Sequence, residues 1–240
     1  MISIIIPVYN EASAISGFLT HLVANCKPDL ITDIIFVDGE STDKTICQIN
    51  EFVQSYTAKN NFNYKIKVIR SNKGRAVQMN RGAREAKGEI LYFLHVDTMT
   101  PERFDQYIIT EIRNGGNVGC FRMQFRDSHW WLRLISWFSR FNYKSCRGGD
   151  QSLFITKSLF EDFGGYDETY RIYEDNEFIC RLYKKEKFCV IPKPVKTSSR
   201  KYREVGIWRL QYYFLRIHIK RYFGAGPDEL YAYYASHVSK

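Results

Sequence analysis

The sequence of 240 residues contains no run of about 18 apolar residues, so no segment is expected to cross a membrane as a helix. Its opening, MISIIIPVYNE, lacks the basic stretch and the small-residue cleavage site of a signal peptide. No Asn-x-Ser/Thr acceptor occurs either, and a cytoplasmic protein is the expectation. The cysteines at 26, 47, 120, 146, 180 and 189 form no CxxC pair and have no histidine at zinc-finger spacing. In a reducing compartment such residues are read as small buried apolar side chains. After the first apolar run the chain reads P-V-Y-N-E-A where a dinucleotide site needs G-x-G-x-x-G, and no G-x-x-x-x-G-K-[ST] occurs. Both absences leave a nucleotide to be held through side chains on its base and ribose, with a metal on its phosphates.

Hydrophobic residues make up 45% of the chain and aromatic residues 16%, enough to bury a substantial core and to exclude disorder. The net charge of +9 is concentrated: between Lys196 and Phe223 stand eight Lys or Arg against the single acid Glu204. That stretch calls for an anionic partner, whether diphosphate, lipid headgroup or nucleic acid. No RNP, KH or helix-turn-helix pattern accompanies it, so no nucleic-acid partner is expected.

Apolar runs alternate with amphipathic stretches through the first half. Strands are expected at Ile2–Val8, Asp33–Val37, Lys65–Arg70 and Glu89–Val96. Helices are expected at Glu11–Asn25, after Ser41 or Thr42, and at Ala76–Ala86. This order predicts an α/β fold, a doubly wound and mostly parallel sheet with helices on both faces, ligands binding at the carboxyl ends of its strands. The second half is less regular, with strands expected at Val118–Phe125, Gln151–Ile155 and Phe188–Ile191. Helices are expected there at Trp130–Phe141, Glu174–Lys184 and Trp208–Phe223. Residues 1–195 are read as one α/β domain and 196–240 as a basic, aromatic helical extension packed on it.

Polar clusters fall at or near the strand ends: Tyr9-Asn10-Glu11, Asp38-Gly39, His95-Val96-Asp97 and later Glu174-Asp175. An aspartate after a buried strand serves as a helix cap as readily as a ligand. Acids heading a helix are equally at home there as first-turn residues. What gives the clusters weight is that all of them point to one end of the sheet. In an extended segment, His95 and Asp97 face the same way.

The segments P7-V-Y-N-E11, F36-V-D-G-E-S-T-D-K-T45, N72-K-G-R-A-V-Q-M-N-R-G82 and F93-L-H-V-D-T98 resemble successive motifs of glycosyltransferase family 2. G148-G-D-Q151, F163-G-G-Y-D-E168 and Y173-E-D-N-E-F178 continue the resemblance in order, over roughly residues 1–190. V195-K-T-S-S-R-K-Y-R-E-V-G-I-W208 resembles the tail of a small bacterial subgroup often labelled arsenosugar-type or cell-surface glycosyltransferases.

The resemblance implies a GT-A fold and an inverting, hexosyltransferase-type transfer from a nucleoside diphosphate sugar, expected to be a UDP-type donor. Pro7, Tyr9 and Glu11 would line the nucleoside pocket, Asp38 would bond the base edge, and Asn72, Gln78 and Asn80 would close it. His95-Val96-Asp97 stands where the family has D-x-D, so Asp97 would ligate Mn²⁺ or Mg²⁺. His95 would reach the ribose or the metal's waters, or stand behind the ligands; nitrogen ligation favours Mn²⁺. Asp175 would deprotonate the acceptor hydroxyl with Glu174 orienting it, and Asp150 and Gln151 would lie on the acceptor side. Arg200 or Arg203 would meet the charge of the leaving diphosphate.

The helix at His129–Phe141 sets Arg133, Ser136 and Arg140 on one face and Trp131, Ile135 and Phe138 on another. The last helix aligns Trp208, Tyr212, Leu215 and Ile219 on one side, with Arg209, Arg216, Lys220 and Arg221 elsewhere. Two amphipathic helices covering the sheet would read this way, as would a surface resting on anionic lipid. The resemblance implies an acceptor that is a saccharide or a lipid-linked molecule, and with it peripheral contact to the inner face of an anionic membrane is expected. The alternatives are a prenyl-phosphate sugar transferase and a non-catalytic or nucleotide-sugar-binding membrane-surface module. The last would leave Asp97 and the Glu174-Asp175 pair without a role.

Overall fold

In the computed structural model, which describes residues 1–59, 64–127 and 129–238, one sheet of eight strands runs through the molecule. The strands are β1 (Ile2–Val8), β2 (Ile31–Asp38), β3 (Lys65–Arg70), β4 (Ile90–Phe93), β5 (Thr98–Met99), β6 (Val118–Phe125), β7 (Leu153–Thr156) and β8 (Phe188–Thr197). Their spatial order is β3-β2-β1-β4-β7-β6-β8-β5. The first four are parallel to one another. β7 runs antiparallel between β4 and β6, which makes the sheet mixed.

Alternation along β1 divides the core in two. Ile2, Ile4, Ile6 and Val8 face one layer with Phe18 and Leu22 of α1 (Ile15–Asn25) and Ile49 of α2 (Thr45–Lys59). That layer also holds Phe104 and Ile108 of α4 (Phe104–Arg113), whereas α3 (Arg75–Glu85) covers the opposite face. There Ile5 meets Ala76, Met79 and Ala83 of α3, and beyond them Phe160 of α6 (Lys157–Asp162) and Phe178 and Leu182 of α7 (Glu174–Lys185). A strand buried on both faces has to be apolar throughout, which is why its sequence is a continuous apolar run. Gly82 lets α3 approach closely, since a Cβ there would lie 2.4 Å from Ile5 Cγ2.

Several expectations are corrected. The first helix begins at Ile15 rather than residue 11, and the fourth strand is only Ile90–Phe93. The strand expected to stop at Ile191 continues through Pro192 and Pro194 to Thr197. The register with β6 shifts between Phe121 and Arg122, whose partners are Ile191 and Pro194, so Pro192 and Lys193 are passed over in the ladder. The helices α4 and α6, and α10 (Pro227–His237), were not legible as separate elements. α5 (Trp130–Phe138) is shorter than expected, and α8 (Arg200–Val205) and α9 (Ile207–Tyr222) follow β8.

Candidate active site

The ladder between β1 and β4 ends at Ile5 and Phe93, two residues before Pro7, while β1 stays paired to β2 as far as Asp38. Pro7, buried in β1, has no N–H to offer β4, and β1 and β4 part here into a crevice at their carboxyl ends. The chain leaves β1 through Asn10 in a left-handed conformation (φ 54°), and Asn10 Oδ1 accepts from Thr42 N at 2.8 Å. This fastens the turn after β1 to the turn after β2. Glu40 (φ 67°) and Tyr173 (φ 70°) are also left-handed, so three of the loops around the crevice hold a strained residue.

Glu11, Asp97, Asp150, Glu174 and Asp175 gather around Arg75, the first residue of α3. Arg75 Nη1 lies 3.8 Å from Glu174 Oε1. Its side chain lines a concave wall, closely surrounded by protein yet still 60% open to water. His95 Nε2 lies 3.9 Å from Asp175 Oδ2, and burial followed by the charge of Arg75 lowers its pKa, so the imidazole is neutral at pH 7. Asp175 is 9% exposed, and burial, then the neighbouring Glu174, push its pKa up to about 6. Burial also raises Glu174, against the opposing charge of Arg75. Asp150 is open to water, yet the protein crowded around it and then the charge of Asp97 raise its pKa. Glu11 is raised by burial, with Arg200 opposing and Asp97 reinforcing, and its Oε2 is buried without a hydrogen-bond partner.

The remaining expected residues divide. Asp38 Oδ1 accepts from Ser41 N at 3.1 Å and shapes the turn after β2. Tyr9 is 38% exposed, with Lys73 Nζ 3.8 Å from its ring centroid, and Asn72 stands exposed after β3. Gln78 does not present its amide to the crevice: Nε2 donates to Val8 O at 2.9 Å and Val37 O at 2.7 Å, tying the ends of β1 and β2 together. Asn80 is likewise removed from the nucleoside pocket. Its Nδ2 donates to Tyr166 O at 2.8 Å and Glu168 Oε1 at 2.9 Å, and its Oδ1 accepts from Tyr166 N. Gln151, expected to face the acceptor, is buried; its Oε1 accepts from Arg147 Nη1 at 2.7 Å and its Nε2 donates to Cys146 O. Of the two tail arginines, Arg200 acts on Glu11, whereas Arg203 faces Asp127 on the outer side.

Three contributors went unrecognised in the sequence. Arg75 stands within the segment N72–G82 but carries no distinguishing spacing. Lys201 acts on Asp150 from α8. Gly149 permits the acid at 175, because a Cβ at 149 would lie 2.0 Å from Asp175 Oδ2. The donor set fits a divalent cation only in part. Asp97 is half-buried and shares Oδ1 with Thr98 Oγ1 at 3.3 Å, and the buried oxygen of Glu11 is near. Among the described residues no three His, Cys, Asp or Glu are grouped to hold a metal by themselves. A cation here would complete its shell with phosphate oxygens and water, as Mg²⁺ and Mn²⁺ do in nucleotide sites.

A sequence model of Glycosyl transferase family 2 matches residues 3–191. The probable glycosyltransferase YdaM of Bacillus subtilis is 26% identical over 203 residues, 76% of this chain and 46% of that protein. The undecaprenyl-phosphate 4-deoxy-4-formamido-L-arabinose transferase of Proteus mirabilis is 25% identical over 208 residues, 86% of this chain and 59% of that protein. The chain therefore spans about half the length of these curated relatives. The mannosyltransferase PcManGT from Pyrobaculum calidifontis, solved in complex with GDP-Man and Mn²⁺, superposes with a TM-score of 0.72 at 17% identity. That likeness, over 97% of this chain and 69% of the other, is one of fold. With the family match extending from β1 into β8 and a mixed sheet of GT-A architecture, the chain belongs to glycosyl transferase family 2.

Proposed function

We propose that the crevice transfers a hexosyl group from a nucleoside diphosphate sugar, with residues 1–195 binding donor and acceptor and 196–240 packed on them as an extension. The observation that carries this is the convergence of Glu11, Asp97, Glu174 and Asp175 around Arg75 at the carboxyl ends of the parallel strands. Tyr9, Glu11 and Asp38 form the nucleoside side and Asp97 the diphosphate side. If Mn²⁺ or Mg²⁺ binds, Asp97 holds it, with Glu11 and the neutral His95 adjoining; the ion would neutralise charge on the diphosphate. Arg200 supports the same diphosphate from α8.

Two acceptor classes follow from different observations. A hydroxyl acceptor suits Asp175. Its carboxylate takes the hydroxyl proton as the oxygen bonds to the anomeric carbon from the face opposite the diphosphate. The carbon–oxygen bond to the diphosphate breaks, the electron pair leaves with it, and the anomeric configuration inverts. Asp150 adjoins the acceptor. A prenyl phosphate is already ionised and needs no base, and the undecaprenyl-phosphate relative favours it. Such an acceptor would bring the chain to the inner surface of a membrane. The segment 195–208 supports the narrower bacterial subgroup.

Incubation with UDP- and GDP-sugars, each with undecaprenyl phosphate or an alkyl glycoside, tests the proposal by mass spectrometry of the products. Transfer to the glycoside that is lost in Asp175→Asn supports the hydroxyl reading. Transfer to the phosphate that survives Asp175→Asn supports the prenyl-phosphate reading. Nucleoside diphosphate sugar bound but never transferred or hydrolysed would leave a binding module and refute the proposal.

A further inference from the structure

α9 carries two apolar faces. Leu210 and Ile217 are buried, Ile217 packing with Tyr170, Leu230 and Phe214. On the opposite side Trp208, Tyr212, Leu215, Ile219 and Tyr222 recur at helical spacing and face water, from 40% exposed at Ile219 to 85% at Tyr222. Of the two readings the sequence left for this stripe, covering the sheet is therefore excluded: it faces outward. α5 repeats the arrangement. Leu132 is fully buried, while Trp130, Leu134, Trp137 and Phe138, with Phe141 just beyond, are exposed. The two stripes meet where Trp208 lies 5.8 Å from Trp130 and 5.1 Å from Trp131, centroid to centroid.

Charge identifies the occupant of this surface. No acid occurs between Asp127 and Asp150 or between Glu204 and Asp228. Arg133 and Arg140 are exposed on the flank of the α5 stripe, and Arg209 and Arg216 on the flank of the α9 stripe. Lys220 Nζ, expected at the same surface, lies 2.6 Å from Glu229 Oε1, and Arg221 sits over the Tyr170 ring away from the stripes. Arg140, by contrast, rests on Trp137 of its own stripe, and Arg209 donates from Nε to Tyr213 Oη of its own helix. Among the described residues no helix is long and apolar enough to cross a membrane. Tryptophan, tyrosine and leucine flanked by arginine, on two helices that themselves carry no acid, match the headgroup zone of an anionic bilayer, where aromatic rings settle and arginine meets lipid phosphate.

We propose that the outward stripes of α5 and α9 form one surface that lies in the headgroup region of an anionic membrane, held there by Arg133, Arg140, Arg209 and Arg216. The surface deepens the acceptor reading above and rests on it for what it delivers. It is wired to the crevice at two points. α9 continues from α8, whose Arg200 acts on Glu11 and Lys201 on Asp150. Tyr173 Oη and His218 Nδ1 of α9 are hydrogen-bonded at 3.0 Å, and Tyr173 directly precedes Glu174-Asp175.

Flotation of the full chain with phosphatidylcholine vesicles, and with vesicles also containing phosphatidylglycerol, is the test. Wild-type protein is expected to float with the anionic vesicles at low salt and to be released at high salt. Arg209→Gln with Arg216→Gln is expected to weaken partitioning about thirtyfold, roughly fivefold for each arginine. Leu215→Ser with Ile219→Ser, exposed and so harmless to the fold, is expected to abolish flotation, while UDP-sugar affinity by calorimetry stays at the wild-type value in both variants. Absence of flotation at low salt, or variants that float like wild type, would overturn the proposal. So would a dimer in light scattering that Leu215→Ser with Ile219→Ser dissociates, because a second copy would then cover the face. Vesicle binding is read without sugar transfer, so its failure and that of the transferase reading are separable.

Discussion

Replacing Asp175 by Asn is expected to lower activity and raise stability together. The carboxyl is buried beside Glu174, and its pKa moves from an ordinary 3.8 to about 6. A raised acid pKa means that folding favours the protonated form. The associated stability is fully present below about pH 3.8 and lost as pH rises through about 6. That displacement corresponds to about 3 kcal/mol at neutral pH, which the uncharged amide recovers. Asp175→Asn is therefore expected to melt roughly 5–10 °C above wild type at pH 7 and to match it near pH 4. Transfer to a hydroxyl acceptor is expected to fall about 10²-fold or more, because the amide cannot take the proton. In the wild type kcat/KM should decline as pH falls through about 6, where the base protonates. Scanning calorimetry from pH 4 to 8 and initial rates over the same range measure both sides. A variant no more stable than wild type at pH 7, or a stability difference independent of pH, would refute the burial argument. Undiminished transfer to a hydroxyl would refute the base.

Gly149→Ala is expected to cost about 10²-fold in turnover with the fold intact, because the added methyl would sit 2.0 Å from Asp175 Oδ2 and must displace the carboxylate; rates and a circular dichroism melt check this together. Asp97→Ala is expected to weaken UDP binding in Mn²⁺ and to erase any difference between titrations with and without the metal, and His95→Asp to tighten binding in Mg²⁺. Gln78→Ala is expected to destabilise the fold by about 2 kcal/mol in urea, since the carbonyls of Val8 and Val37 lose a buried donor. A Gln78 variant with wild-type stability but a raised donor KM would instead put its amide on the nucleotide.

The parallel half of the sheet was legible because a strand buried on both faces cannot tolerate polar residues, so β1 and β2 announce themselves as apolar runs. β7 was legible as a short strand near Gln151–Ile155, whereas β5 was not read at all. β5 has only Thr98 and Met99, and its pairing with β8 is made across the chain, at Thr197 and Lys196. The strand expected to end at Ile191 runs on because a register shift against β6 passes over Pro192 and Lys193. At the site, the acids after β1 and β4 were visible because strand ends are where a crevice opens. Gln78, Asn80 and Gln151 misled for one reason: an amide is the residue type for binding a ligand and also for fastening backbone, and only burial distinguishes the two uses. Gly149 left no trace in residue type, since its value is the room it leaves beside position 175.

The balance of charge around Arg75 ties donor binding to both pH and metal. Glu11, Asp97, Asp150, Glu174 and Asp175 surround one guanidinium and a neutral imidazole, with Arg200 and Lys201 acting from α8. A diphosphate entering so acidic a crevice is repelled unless carboxylates protonate or a divalent cation enters with it. The pKa values of Glu11, Asp150 and Glu174 are raised, and that of Asp175 reaches about 6, so protonation begins in the neutral range. A UDP-sugar is the right probe, because its diester diphosphate does not itself titrate there. Without metal its affinity is expected to rise as pH falls from about 8 through about 6, as carboxylates lose their charge. With Mn²⁺ the trend is expected to reverse, since a carboxylate must be ionised to serve the metal and protons compete for it. Two calorimetric series that cross would identify the carboxylates as the source of the field the donor meets. Parallel pH dependence with and without Mn²⁺ would mean that Arg75, Arg200 and Lys201 already dominate that field, and that the crevice binds its donor without help from a metal.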